Sequence, residues 1–147
     1  MVDKTVNAPQ VRSSKVSRDV AEADFDRWAE EWDIDTDKEH MDAEDRQGFE
    51  NSRAKFIKSI CDGRLSVSED ASKVVQTLKY SQGADLEYTV PTGAAFITLD
   101  HHKDSQHMTK LHSYMASMTG KALKEFSQMD GRDIKIGYAV AQLFMGS

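Results

Sequence analysis

The stretch DIDTDKEHMDAE, from Asp33 to Glu44, has the residue types and spacing of a calcium loop. Asp33, Asp35 and Asp37 fall on the first three oxygen-ligand positions of a twelve-residue EF-hand loop, Glu39 on the seventh and Glu44 on the twelfth. Two residues break the pattern. Lys38 stands where the sharp turn needs glycine and adds positive charge inside the ligand ring, and His40 stands where an aliphatic residue joins paired loops. No second loop of this type occurs in the chain, although EF-hands work in pairs. The stretch therefore reads as a solvated acidic joint whose aspartates cap the helix that follows.

The histidines give the other candidate for metal chemistry. His101 and His102 lie in a joint, and His107 and His112 lie on a helix beginning near Ser105. Five residues apart on a helix, His107 and His112 face about 140° away from each other, which suits one ion poorly. Asp100 or Asp104 would have to fold back to complete a site, and the single cysteine, Cys61, is far upstream. A metal-responsive regulatory module using calcium or zinc is thus the alternative reading, and the expectation is no metal and no cofactor. Cys61 with a distant histidine is the nearest thing to a thiol nucleophile. The chain has no nucleophile elbow, phosphate-binding glycine loop, HExxH or dinucleotide fingerprint, and DHHKD lacks the companion motifs that would hold two metals. The residues point away from an enzyme.

The elements that must position these side chains follow from periodicity. With 147 residues and 39% hydrophobic content, the chain can bury one core, so one domain is expected from residue 19 to 147 after a flexible, polar leader over 1–18. Ala21, Phe25, Trp28 and Trp32 recur at helical spacing, with Asp19 and Glu22 as a capping box. A second helix starts at Asp42, capped by the Asp42/Asp45 pair, buries Phe49, Phe56, Ile57 and Ile60, and ends at Gly63. The region 63–91 alternates as strands: Leu65 and Val67, then Val74, Leu78 and Tyr80, then, after a turn at Gly83, Leu86, Tyr88 and Val90 before Pro91. Three antiparallel strands in a meander are expected.

The region 92–147 reads as a helical cluster. PTGAAFITLD gives a short helix with Phe96 and Leu99 or a fourth strand. Ser105 caps a helix with Met108, Leu111, Met115 and Met118 on one face and Tyr114 beside it, closing at Gly120. Leu123 and Phe126 make a further turn or two. The last helix, after the Asp130/Asp133 cap pair, carries Ile134, Ile136, Tyr138, Val140, Leu143 and Phe144 and leaves little polar surface, so it must be covered on more than one side. The fold class is α+β: amino-terminal helices, a small antiparallel meander and a carboxy-terminal helical cluster.

The net charge of −6 is concentrated upstream of Glu50 and opposes nucleic-acid phosphates and anionic membrane surfaces, so protein partners are expected. A lone cysteine, no amino-terminal apolar segment and no run long enough to span a bilayer make a cytoplasmic protein the expectation. The candidate partner-binding side chains are Phe25, Trp28 and Trp32 on the first helix and Tyr138, Leu143 and Phe144 on the last, with the methionines at 108, 115, 118, 129 and 145 as core or as an adaptable face.

The order LEYTV, PTGAAFITLD, a His/Lys-rich helix, MTG, ALKEFSQMDGRD and a terminal apolar helix resembles tail assembly chaperones of tailed bacteriophages and prophages. The matching features are Pro91, Thr92 and Gly93, then Met118, Thr119 and Gly120, then Met129, Asp130 and Asp133, within a segment from Leu65 to Phe144. The resemblance implies a small, non-catalytic α+β protein that binds the tape-measure protein during assembly in the bacterial cell, with other tail proteins as further candidate partners. It also implies possible homo-oligomers and loss from the mature virion.

Overall fold

The computed structural model describes residues 15–94 and 107–146. Their elements are α1 (Arg18–Glu31), a 3-10 turn (Lys38–His40), α2 (Ala43–Cys61), β1 (Leu65–Val67), β2 (Val74–Gln76), β3 (Leu86–Tyr88), α3 (His107–Thr119), α4 (Leu123–Ser127) and α5 (Gly131–Met145). The architecture is the α+β arrangement expected, with the three strands in sequential order and antiparallel throughout.

The first helix starts before Asp19. Ser17 is its cap, accepting from Val20 N, and Glu22 pairs with Arg18 instead of closing a capping box. Order therefore reaches into the proposed leader: Val16 packs on the core and its amide donates to the Cys61 carbonyl. The rest of that leader, 1–14, lies outside the described residues, as do the Phe96/Leu99 segment, Ser105, His101 and His102.

Helix α1 lays Ala21, Phe25, Trp28 and Ala29 on α2, where Phe56, Ile57 and Ile60 meet them. Trp28 stacks on Phe56 at 4.4 Å between ring centroids, and Phe25 meets the same ring edge-on at 5.5 Å. After α1, Asp33 takes a left-handed turn (φ 54°) that aims Ile34 back into the core, where its amide reaches the Ala29 carbonyl at 2.9 Å. Gly63 (φ 78°) ends α2, letting Arg64 N bond the Ser59 carbonyl and sending the chain directly into β1.

In register, Leu65 faces Gln76 and Val67 faces Val74, while Val74 faces Tyr88 and Gln76 faces Leu86. These six side chains form the buried face of the sheet. The strands are shorter than their alternation suggests. β2 ends at Gln76, so Tyr80 is exposed and Leu78 half-buried; β3 ends at Tyr88, so Val90 is 48% exposed. Beyond these ends the backbone has better partners: Thr89 N bonds the Met118 carbonyl, and the amides of residues 79–81 are held by Asp133.

Helix α5 is the centre of the molecule, packed against α2 on one side and α3 on another. Ile134, Ile136, Ala139, Val140, Ala141 and Leu143 are all buried, which accounts for its nearly all-round apolar sequence. Gly137 allows the closest approach: a Cβ there would lie 2.3 Å from Met115 Cε and 2.6 Å from Tyr88 Oη. On α3, Leu111, Tyr114, Met115 and Met118 face inward, whereas Met108 is 49% exposed and does not continue the buried stripe. Among the described residues, no helix is long and apolar enough to cross a membrane.

Candidate functional site

The aromatic residues singled out for partner binding form the core. Phe25, Trp28, Trp32 and Leu143 are each at most 3% exposed, and Tyr138 and Phe144 are half-buried against them. The correction has a physical reason: Phe56 of α2 covers Phe25 and Trp28, and Trp32, just after α1, meets the last helix within the chain. Trp32 meets Phe144 edge-on at 5.8 Å, Phe144 reaches Tyr114 of α3 at 5.9 Å, and Trp32 Nε1 donates to the Ala71 carbonyl at 2.8 Å.

A buried polar network joins the sheet to α5. Asp130 caps α5 through Arg132 N, as the Asp130/Asp133 pair suggested, but Asp133 has a different task. Its fully buried carboxylate accepts from Arg64 Nη2 and from three consecutive amides, Lys79 N at 3.0 Å, Tyr80 N at 2.9 Å and Ser81 N at 2.6 Å. Its carbonyl accepts from Gln76 Nε2 at 2.7 Å, and Gln76 Oε1 accepts from Tyr88 Oη at 2.7 Å. Burial by itself raises the Asp133 pKa; the amide and Ser81 donors outweigh it, and the carboxyl stays below its ordinary range. Burial also raises the Tyr88 hydroxyl, which remains a donor. Outside this network, Arg132 lies 3.6 Å over the Tyr80 ring and Asp130 N bonds Ser81 Oγ, clamping the same loop from the solvent side.

His112 and Tyr138 make a second pair, Nε2 to Oη at 2.7 Å with their rings stacked. Burial lowers the His112 pKa and raises that of Tyr138, so the neutral ring and the protonated phenol are the stable forms. The His107 side chain lies outside the described residues.

The acidic joint is ordered by its own carboxylates. Asp35 Oδ1 accepts from Asp37 N at 2.9 Å, Asp37 Oδ1 from Glu39 N at 3.0 Å, and Asp42 Oδ1 caps α2 at Asp45 N at 2.8 Å. Asp37 Oδ2 also lies 3.1 Å from His40 Nε2. Arg46 of α2 fastens the joint by donating to the Lys38 and Met41 carbonyls, and Lys38 pairs with Glu50 at 3.1 Å. Of the oxygens at the calcium-loop ligand positions, Asp35 Oδ1 and Asp37 Oδ1 thus bond to local amides. Among the described residues, no three His, Cys, Asp or Glu side chains converge on a common point suited to a metal.

What the joint does create is a groove. It opens between residues 35–41, the first turns of α2 and the last turn of α5, with a volume of about 730 Å³. Half-buried Met41 and Phe49 supply apolar wall over the buried Leu143, Asp35, Glu44 and Asp45 supply carboxylates, and Gly48 leaves one side without a side chain. A methyl added at Gly48 would meet no atom within 4 Å. Sequence reasoning placed Phe49 on the buried face of α2 and passed over Gly48; a glycine inside a long amphipathic helix was the available signal.

In comparisons with protein-family models, curated proteins and solved structures, no match to this chain was found.

Proposed function

We propose that this protein is a non-catalytic tail assembly chaperone of a tailed bacteriophage or prophage, binding the tape-measure protein stoichiometrically in the bacterial cytoplasm and leaving before the virion matures. The groove beside the acidic joint carries the protein-binding part of this reading. It is an open, partly apolar recess walled by Met41 and Phe49. The motif order from Leu65 to Phe144 supplies the tail-assembly part, and the α+β architecture agrees with the fold that resemblance implies.

The test is co-expression with a tape-measure protein, the long, coiled-coil-rich product that this reading expects from a neighbouring gene, followed by affinity purification and light scattering. A defined complex that keeps the long protein soluble is the expected result. A long protein that aggregates equally with and without this chain would remove the chaperone reading. Calorimetry showing calcium or zinc bound much more tightly than about 1 mM would replace it with the metal-responsive alternative.

A further inference from the structure

The groove has a charge as well as a shape. Between Asp19 and Glu50 the chain carries fourteen carboxylates against three Lys or Arg side chains. Of these carboxylates Asp35, Glu44 and Asp45 line the groove; no Lys or Arg does, and the one basic side chain there, His40, has its Nε2 3.1 Å from Asp37 Oδ2. Helix α5 adds to the same potential independently: its last turn, with Gln142 and Gly146 on the groove, has no basic side chain to offset the partial negative charge of its terminal carbonyls. Anionic ligands are therefore repelled, and a purely apolar ligand would strand Asp35, Glu44 and Asp45 against its surface.

Gly48 is the second observation. A glycine within α2 weakens the helix relative to alanine, and no neighbour in the molecule requires the missing side chain, since the space in front of it is open. It leaves helical backbone bare along the groove, where another main chain can approach closely, with Phe49 and Met41 beside it to receive apolar side chains. We propose that this groove docks a helical segment of a partner protein that presents Lys or Arg on both sides of a narrow apolar ridge. The cations would meet Asp35, Glu44, Asp45 and the end of α5, and the ridge would cover the half-buried Met41 and Phe49. The inference rests on the protein-binding reading above and names the chemistry of the client segment.

The experiment uses the full chain and a fluorescein-labelled Leu/Lys amphipathic peptide of about four helical turns, beside a Leu/Glu peptide of the same pattern, read by anisotropy. The Leu/Lys peptide should bind with an affinity that falls as salt rises, and the Leu/Glu peptide should not bind. Glu44→Lys with Asp45→Lys should weaken binding about tenfold or more, whereas the equal charge change Glu69→Lys with Glu87→Lys, away from the groove, should alter it less than about threefold. Gly48→Leu should obstruct binding at every salt concentration, and Gly48→Ala should weaken it less; thermal melts and far-UV circular dichroism establish that each variant is folded. Equal binding of both peptides, equal loss in the two double variants, or unchanged binding by Gly48→Leu would overturn the inference. So would self-association of the free chain that Gly48→Leu abolishes, which would make a second copy the occupant. Peptide binding in the groove without capture of a tape-measure protein would refute the tail-assembly reading alone. Capture that survives both groove variants would refute the groove alone.

Discussion

Replacing Asp133 tests whether one buried carboxylate fastens the sheet to the central helix. In Asp133→Asn the shape is kept and the charge is lost. Arg64, whose side chain is 17% exposed, then faces a neutral amide, and the amides of Lys79, Tyr80 and Ser81 must share the one remaining acceptor oxygen. Removing one member of a buried ion pair costs about 3–5 kcal/mol, and each buried donor left unpaired about 1–3 kcal/mol. A loss of about 3–5 kcal/mol is expected, a large share of the roughly 5–15 kcal/mol that holds a domain folded, with a fall in Tm of about 10 °C or more. Urea unfolding followed by tryptophan fluorescence reads it directly, because Trp28 and Trp32 are buried. The Arg64→Met/Asp133→Asn double variant should be less damaged than the sum of the single variants, since it leaves no unpaired buried charge. The pH dependence gives a second reading. A carboxyl held below its unfolded value near 3.8 adds stability that is present above that pH and lost as pH falls through the folded value, so Asp133→Asn should flatten the acid limb below about pH 4. A loss under about 1 kcal/mol, or strict additivity with Arg64→Met, would show that the network is ornamental.

Three further outcomes follow from the packing. Gly137→Ala places a methyl against Met115 Cε and Tyr88 Oη; the methionine tip can move, but the hydroxyl is held by Gln76, so destabilisation of about 1–3 kcal/mol is expected in urea titration despite the better helix former. Trp32→Phe removes the indole donor to the Ala71 carbonyl and should cost about 1–3 kcal/mol, and a melt identical to wild type would contradict the assigned bond. His112 is kept neutral by burial, so as pH falls below the unfolded value of 6.5 the unfolded chain takes up the proton first and native stability declines. His112→Phe should remove that part of the slope between about pH 7 and 5, measured as Tm against pH.

Periodicity was enough to find the elements. The four-three-four spacing of Ala21, Phe25, Trp28 and Trp32, the Asp42 cap and Gly63 define two helices whose limits the structure places within a residue or two, and Gly120 marks the end of a third. The α+β class, the three-strand meander and the need to cover the last helix were legible for the same reason: local sterics and amphipathic spacing act within a few residues. Gln76 was a clue left unused, because the two-residue period from Val74 turns it inward, and a buried amide needs partners.

What covers an apolar face is a different kind of fact. Trp28 and Phe144 look alike in sequence whether they await a partner or meet Phe56 and Trp32 within the chain, and only the docking of α1 on α2 and α5 decides between these. Asp133 was equally ambiguous. Its place in the first turn of α5 suits a capping carboxylate, and its true partners are contributed by residues more than fifty positions away. The groove beside Gly48 exists because α5 ends against the start of α2, a meeting of chain segments almost a hundred residues apart. Sequence alone determined which segments curl or extend and where charge accumulates, since those depend on neighbours along the chain. Tertiary structure decided which surfaces are spent and which stay open, since burial depends on what arrives from elsewhere.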